Sequence, residues 1–276
     1  MVGLWIPNIF YWGCNQFITQ RALAAKNIRE AQNGLIFAGF LKLLVPFIVV
    51  IPGIIAYTLY AGEIERADMS YPFLIQKLIP PGLLGIIFAA LLAAVMSSLS
   101  SMLNSCATIF TVDIYKRYSS GNPSEHRLVS VGRIATIVVL VIATVIAPFL
   151  TNFQLIFSYI QKFWGFISPG VVVVFMFGIF WNRATAAGAI TSLSLSVPVY
   201  ALLQVIFPEM AFLNQMTISL LVLSTLMVGV SLVSRADFSK SIQIGDYGSL
   251  IKTAKPFNIA SIALILMVVT LYIVFF

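Results

Sequence analysis

Apolar residues along this chain come in long runs separated by short polar stretches. Eight runs stand out, at roughly 3–20, 34–60, 82–112, 128–150, 154–181, 186–207, 212–234 and 257–276. A helix that crosses the hydrocarbon core needs about 20 apolar residues, and runs of this order provide them. Alternation at period two, the mark of a membrane barrel, is absent. The pattern predicts an all-α integral membrane protein of about eight transmembrane helices. The third run continues apolar to about Tyr115. As a helix it measures about 50 Å at 1.5 Å per residue, so it is expected to tilt or to project beyond the membrane. The stretch 119–124, with Gly121 and Pro123, reads as a turn, and 235–256, with Gly245 and Gly248, as a surface segment.

Composition agrees with the runs. The chain is 60% hydrophobic and 9% charged, with a mean hydropathy of +1.01. A soluble domain carries about 25% charged residues, and no soluble surface is built from so few. The net charge of +7 could point to nucleic acid, but the placement of the charges excludes that reading. Arg21, Lys26 and Arg29 follow the first run; Lys116, Arg117, Arg127 and Arg133 follow the third; Arg183 follows the fifth; Arg235, Lys240, Lys252 and Lys255 follow the seventh. Only Arg66 and Lys77 fall in the even-numbered loops. The positive-inside bias then puts the odd loops in the cytoplasm of a plasma or bacterial inner membrane, with both chain ends outside. Met1 opens directly into an apolar run without a basic leader, which reads as a chain that begins partway through a longer protein. Cys14 and Cys106 lie in or beside apolar runs and read as small buried hydrophobes.

Polar groups inside a span need a partner or a water-filled cavity, so they carry the functional information. The first run holds Pro7-Asn8 and then Tyr11-Trp12-Gly13. Proline removes a backbone donor, and the helix is expected to break or kink near Asn8. Two readings stand side by side: binding groups exposed at a mid-membrane break, or an interfacial aromatic belt with Pro7 as a harmless kink. Lys42 lies about eight residues into the second run, either snorkelling to the headgroups or facing a hydroxyl-rich ligand. Ser97-Ser98 and Ser100-Ser101 follow Ala93-Ala94 in the third run. Such small hydroxyl residues either let helices approach closely or offer hard oxygen ligands to a sodium ion. Gln161, in Phe157-Ser158-Tyr159-Ile160-Gln161, has two donors and an acceptor that suit sugar hydroxyls, or it faces the outer headgroups. Asp113 reads as a structural carboxylate paired with Arg133 or a neighbour. No cluster of His, Cys and carboxylates, no phosphate-cradling glycine loop and no nucleophile–base arrangement appears, so an enzyme has no support.

Three stretches together resemble the sodium/solute symporter family, specifically its sodium/sugar branch. They are Trp5 to Arg21 through Pro7-Asn8 and Phe10-Tyr11-Trp12; Ala93 to Asn104 with Thr111 to Lys116; and Phe157 to Gln161. Gly178 to Arg183, followed by Gly188-Ala189, extends the likeness. The resemblance implies a leucine-transporter-type fold of two inverted five-helix repeats. This chain would supply the second repeat at 1–181 and three accessory helices at 182–276, the first repeat being absent. By the same resemblance Asn8, Lys42 and Gln161 would hydrogen-bond the sugar and Tyr11 would stack on its ring. Phe10 and Trp12 would flank Tyr11 at the inner gate, and Phe157 would belong to the outer gate. Sodium, the coupling ion, would take the Ala94 carbonyl and the Ser97 and Ser98 hydroxyls, with Ser100 and Ser101 where some relatives build a second site. Pro7 beside Asn8, and Phe10 where some relatives carry tyrosine, are departures not expected to abolish binding. The implied function is sodium-coupled sugar transport by alternating access, with the sugar, sodium, membrane lipid and the missing N-terminal half as partners. A symporter of another small solute, or a nontransporting membrane sensor, are the alternatives.

Overall fold

Most of the prolines that begin a segment sit where the helix does not need their missing N–H. Pro81 and Pro169 occupy the first turns of long helices, and Pro46 and Pro52 open the two halves of a bent one. The computed structural model describes residues 2–119, 121–152, 156–234 and 253–275, and among these the ordered elements are all helical. The segment expected to lie on the surface, with Arg235, Lys240, Lys252, Gly245 and Gly248, falls outside the described residues.

In chain order the helices are α1 (Trp5–Ile9), α2 (Gln16–Leu23), α3 (Ile28–Lys42), α4 (Ile51–Tyr60), α5 (Ser70–Leu78), α6 (Pro81–Thr108), α7 (Lys116–Tyr118), α8 (Glu125–Ile146), α9 (Ile156–Trp164), α10 (Ser168–Phe180), α11 (Ala186–Ile206), α12 (Phe212–Val233) and α13 (Lys255–Phe275). Wide π-turns, in which the backbone stays helical, occur at Phe10–Cys14, Pro46–Val50 and Ile109–Tyr115. Five continuous helices are long and apolar enough to cross a membrane: Ile28–Tyr60, Pro81–Tyr118, Glu125–Leu150, Ala186–Ile206 and Phe212–Val233. The fifth predicted run is a pair, α9 and α10, bent by 40°. The first run is a chain of short turns, and the apolar stretch of α13 runs from Lys255 to Leu271. The span through α6 reaches 38 residues, about 55 Å, which meets the expectation that it outruns a perpendicular crossing.

The chain divides into two units, residues 1–36 with 157–276, and residues 37–156. In the first unit small and polar buried positions alternate with large apolar ones, and the small ones let backbones approach closely. The buried face of α11 repeats every four residues: Gly188, Ser192, Ser196, Tyr200. On α12 it is Gln215, Met216, Ser219, Leu223, Met227 and Ser231. A Cβ on Gly188 would lie 2.3 Å from the Ser231 hydroxyl oxygen and 3.0 Å from the Met227 carbonyl, so only glycine admits this contact. The Ser192 hydroxyl donates to the Leu223 carbonyl at 3.2 Å, and the Thr185 hydroxyl to that of Ser231 at 3.2 Å. Ile6, Val172, Tyr200 and Met216 form an apolar cluster that pins α1 to α10 and α12.

In the second unit α6 packs along α8, burying Ser105, Ala107, Thr111 and Ala135, while most of its large apolar side chains remain exposed. Asp68 accepts a hydrogen bond from the Ile156 backbone N–H at 3.0 Å. Among the described residues one ion pair occurs, Lys77–Glu63 at 3.0 Å. The expected partner for Asp113 is therefore not found: this carboxylate is exposed, and a surface ion pair would add little to its hydration.

Candidate functional site

The first run does distort, but not where proline alone would put it. Pro7 is the third residue of α1, in its first turn, where proline is tolerated, and the backbone stays helical past it. Helical backbone continues past Asn8 into the π-turn Phe10–Cys14, and the break comes at Asn15, which is extended (φ −88°, ψ 117°). The break at Asn8 expected from Pro7 is thus displaced by seven positions. π-turns insert a residue into the helical ladder and recur at functional sites.

The burial of Ile6 and Pro7 turns Asn8 outward, where it is exposed. Its Nδ2 donates to the Leu4 carbonyl at 2.8 Å. That leaves the side-chain oxygen and one N–H for another partner. Tyr11 is half-buried inside an aromatic nest. Trp12 and Phe17 meet it edge-on, with ring centroids at 5.5 and 5.6 Å. Trp164 stacks on it at 5.8 Å, 26° from parallel, and meets Phe10 edge-on at 6.2 Å. Phe10 therefore flanks Tyr11 through Trp164. Trp164 was not singled out from sequence. Its only signal is its position three residues after Gln161 on one helix face.

That face of α9 carries Phe157, Gln161 and Trp164, spaced four and then three residues apart. Phe157 is exposed and Gln161 half-buried. The Gln161 amide makes no hydrogen bond to another described residue. The turn 165–167 separates α9 from α10, and α11 holds it: the Ser196 hydroxyl donates to the Phe166 carbonyl at 2.7 Å, and Tyr200 packs against Gly165. The stack between Tyr11 and Trp164 thus brings the Asn8–Trp12 run and the Phe157–Gln161 run together within the first unit.

The other candidates belong to the second unit. Lys42 ends α3, about midway along the 33-residue helix Ile28–Tyr60 and eight residues beyond Gly34, where its apolar run begins. A charge within a span costs about 2.5–3.5 kcal/mol on insertion scales. Ala94, Ser97, Ser98 and Ser101 share one strip of α6 and are at least partly exposed. Ser100 stands next to Ser101 and about 100° round the helix from it. The Ser101 hydroxyl donates to the Ser97 carbonyl at 3.1 Å. α6 is unbroken here, so the Ala94 carbonyl sits in the helical ladder and has only its second lone pair to offer a cation. The Ser97 and Ser98 hydroxyls bond no other described residue.

Five helices of membrane length, with α9 and α10 joined at a 40° bend, define the class: a polytopic helical membrane protein. The particular family follows from sequence. The chain belongs to the sodium:solute symporter family, whose profile matches residues 1–195. It is 44% identical over 289 residues to a sodium/glucose cotransporter of Vibrio parahaemolyticus, covering 99% of this chain and 53% of that protein. It is 39% identical over 207 residues to a sodium/myo-inositol cotransporter of Bos taurus, covering 68% of this chain and 29% of that one. Among solved structures, a substrate-bound, outward-open Na+-coupled sialic acid symporter superposes with a TM-score of 0.71 at 26% identity, over 85% of this chain and 49% of that chain. The all-helical fold is thus that of a leucine-transporter-type symporter, and the chain spans about half the length of the Vibrio relative.

Proposed function

We propose that this chain is part of a sodium-coupled symporter for a hexose or an inositol-like sugar, working by alternating access. In this reading residues 1–181 are the second inverted repeat and 182–276 three accessory helices. The rest of the transporter supplies the first repeat and covers the exposed apolar faces of the second unit. The observation that carries the proposal is Gln161: a half-buried amide, without a described partner, one turn from the tryptophan stacked on Tyr11. Amides that read hydroxyl groups beside an aromatic face are what a polyhydroxylated ring needs, since its edges are polar and its faces apolar. Asn8 adds a second amide three residues from Tyr11 within the same unit. Phe10, Trp12 and Phe157 close the two ends.

Sodium is the coupling ion, held by the Ser97 and Ser98 hydroxyls and the spare lone pair of the Ala94 carbonyl, with Ser100 and Ser101 as a second candidate pair. Coupling requires that sodium and sugar favour the same conformation. One sodium moving inward through 100 mV contributes about 2.3 kcal/mol, enough for roughly fifty-fold accumulation. The bias of Lys and Arg to odd-numbered loops supports an inner or plasma membrane with those loops in the cytoplasm. The greater likeness to glucose and inositol cotransporters than to the sialic acid symporter favours a neutral sugar. The test is uptake of D-glucose and myo-inositol by the complete transporter in proteoliposomes under a sodium gradient. Gln161→Ala should cut kcat/KM at least tenfold, the cost of about one lost hydrogen bond to a desolvated partner. Uptake that ignores the gradient, or is untouched by the substitution, refutes the proposal.

A further inference from the structure

Adjacent residues on an α-helix point about 100° apart, so they do not ordinarily share one neighbour. Phe10 and Tyr11 do share one. Trp164 takes the edge of Phe10 at 64° and lies 26° from parallel to Tyr11. The π-turn that starts at Phe10 makes this possible, because its wider turn draws successive side chains closer in direction. Neither Tyr11 nor Trp164 belongs to the apolar cluster that anchors α1. The stack is thus a contact made beside the core and not part of it.

We propose that Trp164 is the positioning residue of the Tyr11 gate. Its indole sets the plane of the phenol ring, with Trp12 and Phe17 bracing the edges, and ties that plane to α9. Gln161 stands one turn earlier on the same face of α9. Trp164 therefore registers the group that stacks on a sugar ring against the group that reads its hydroxyls. Tyr11 stands in the π-turn, four residues before the extended Asn15. The stack on Trp164 adds a partner from α9 to the contacts made by its own segment. The role rests on the transport reading above and adds a residue to it.

The test is sodium-driven D-glucose uptake by the complete transporter carrying Trp164→Ala, Trp164→Leu or Trp164→Phe, with each variant's folded yield measured in parallel. Ala and Leu should raise the sugar KM about tenfold while kcat falls less than threefold, the loss of one aromatic pair and of the geometry it holds. Phe, which can still stack, should return KM to within about threefold of the parent. In a Tyr11→Ala background the Trp164 substitutions should have no further effect on KM. A purely structural role would lower yield and kcat at constant KM and make Leu as good as Phe, and that result overturns the proposal. If the parent transports sugar and Trp164→Ala keeps its KM, this role falls alone. If the parent moves no sugar under a sodium gradient, the transport reading falls and this role with it.

Discussion

Replacing Gly165 by alanine tests how the bent span α9–α10 is held. A Cβ at this position would lie 2.2 Å from Tyr200 Cζ, 2.4 Å from its hydroxyl oxygen and 2.6 Å from Cε1. Carbon atoms reach their optimum at about 3.5–4.0 Å, so the overlap is about 1 Å across three atoms. The ring has nowhere to go. Tyr200 is 0% exposed, and Phe166 meets it edge-on at 4.9 Å. Its helix is fastened by Ser192 to Leu223 and by Ser196 to Phe166. The relief has to come from the 165–167 turn, which pulls the Phe166 carbonyl off Ser196. Overpacking costs about 1–3 kcal/mol, and a buried carbonyl left without its partner about 1–3 kcal/mol more. Gly165→Ala should therefore destabilise the purified chain in detergent by about 2–6 kcal/mol, read as a lower unfolding midpoint by tryptophan fluorescence. Tyr200→Leu removes the colliding atoms at the cost of a cavity. On that background the alanine should cost less than about 1 kcal/mol, giving a coupling of at least about 1 kcal/mol. A Gly165→Ala variant within about 0.5 kcal/mol of the parent, or an equal cost in both backgrounds, would show that this contact does not set the bend.

Two further outcomes bear on the cation and on the extent of the chain. Ser97→Ala and Ser98→Ala in the complete transporter should each raise the sodium concentration for half-maximal uptake about fivefold or more, leaving the sugar KM at saturating sodium within about twofold, since each removes one oxygen ligand; equal shifts in both constants would place the serines elsewhere. The 276-residue polypeptide alone, reconstituted in liposomes, should show no sodium-driven accumulation of glucose, because the proposed cation and sugar sites lack the groups of the other repeat; a gradient-dependent signal from this polypeptide would overturn that division of the site.

Of the eight predicted spans, five are single helices of membrane length and a sixth is the bent pair α9–α10, while the first and last runs form shorter helices. The six were legible because bilayer thickness and the cost of burying charge act on long windows, where single residues matter little. The overlong third run was legible for the same reason, since its length is written directly in the sequence. The breaks were not. Pro7 looks like a helix breaker, yet its position in the first turn of α1 makes it harmless, and the distortion appears at Phe10–Cys14, which contains no proline. Conversely the fifth run read as one span, although Gly165 and Pro169 bracket a turn within it. A proline's effect depends on where the helix starts, and that is set by packing: Ile6 docking into the cluster around Tyr200 fixes the start of α1. Trp164 was missed for a related reason. Its partner lies more than 150 residues earlier, and no local periodicity joins a π-turn to a helix that meets it only in three dimensions.

A broken span in lipid leaves backbone groups that water cannot reach, so each break has to be answered by another helix. In the first unit the answer to the α9–α10 break comes from α11, beyond the proposed repeat. Its buried face carries the residues the break requires, in order: Ser196 for the stranded Phe166 carbonyl and Tyr200 for the space over Gly165. The same face continues as Ser192 and Gly188, which lock α11 to α12 through backbone and hydroxyl contacts beside the apolar cluster of Leu223 and Met227. Small polar residues are the right material, because lipid solvates leucine as well as a protein interior does and supplies no drive to hide it. The helices at 182–233 thus act on the candidate site through the bend, as well as through the apolar cluster of Tyr200 and Met216 against which Phe10 packs. They hold the turn from which α9 projects, and α9 carries Phe157, Gln161 and Trp164. A substitution at Ser196 or Tyr200 is accordingly expected to reach solute recognition through the direction of α9, with the rings around Tyr11 as the first contacts to loosen.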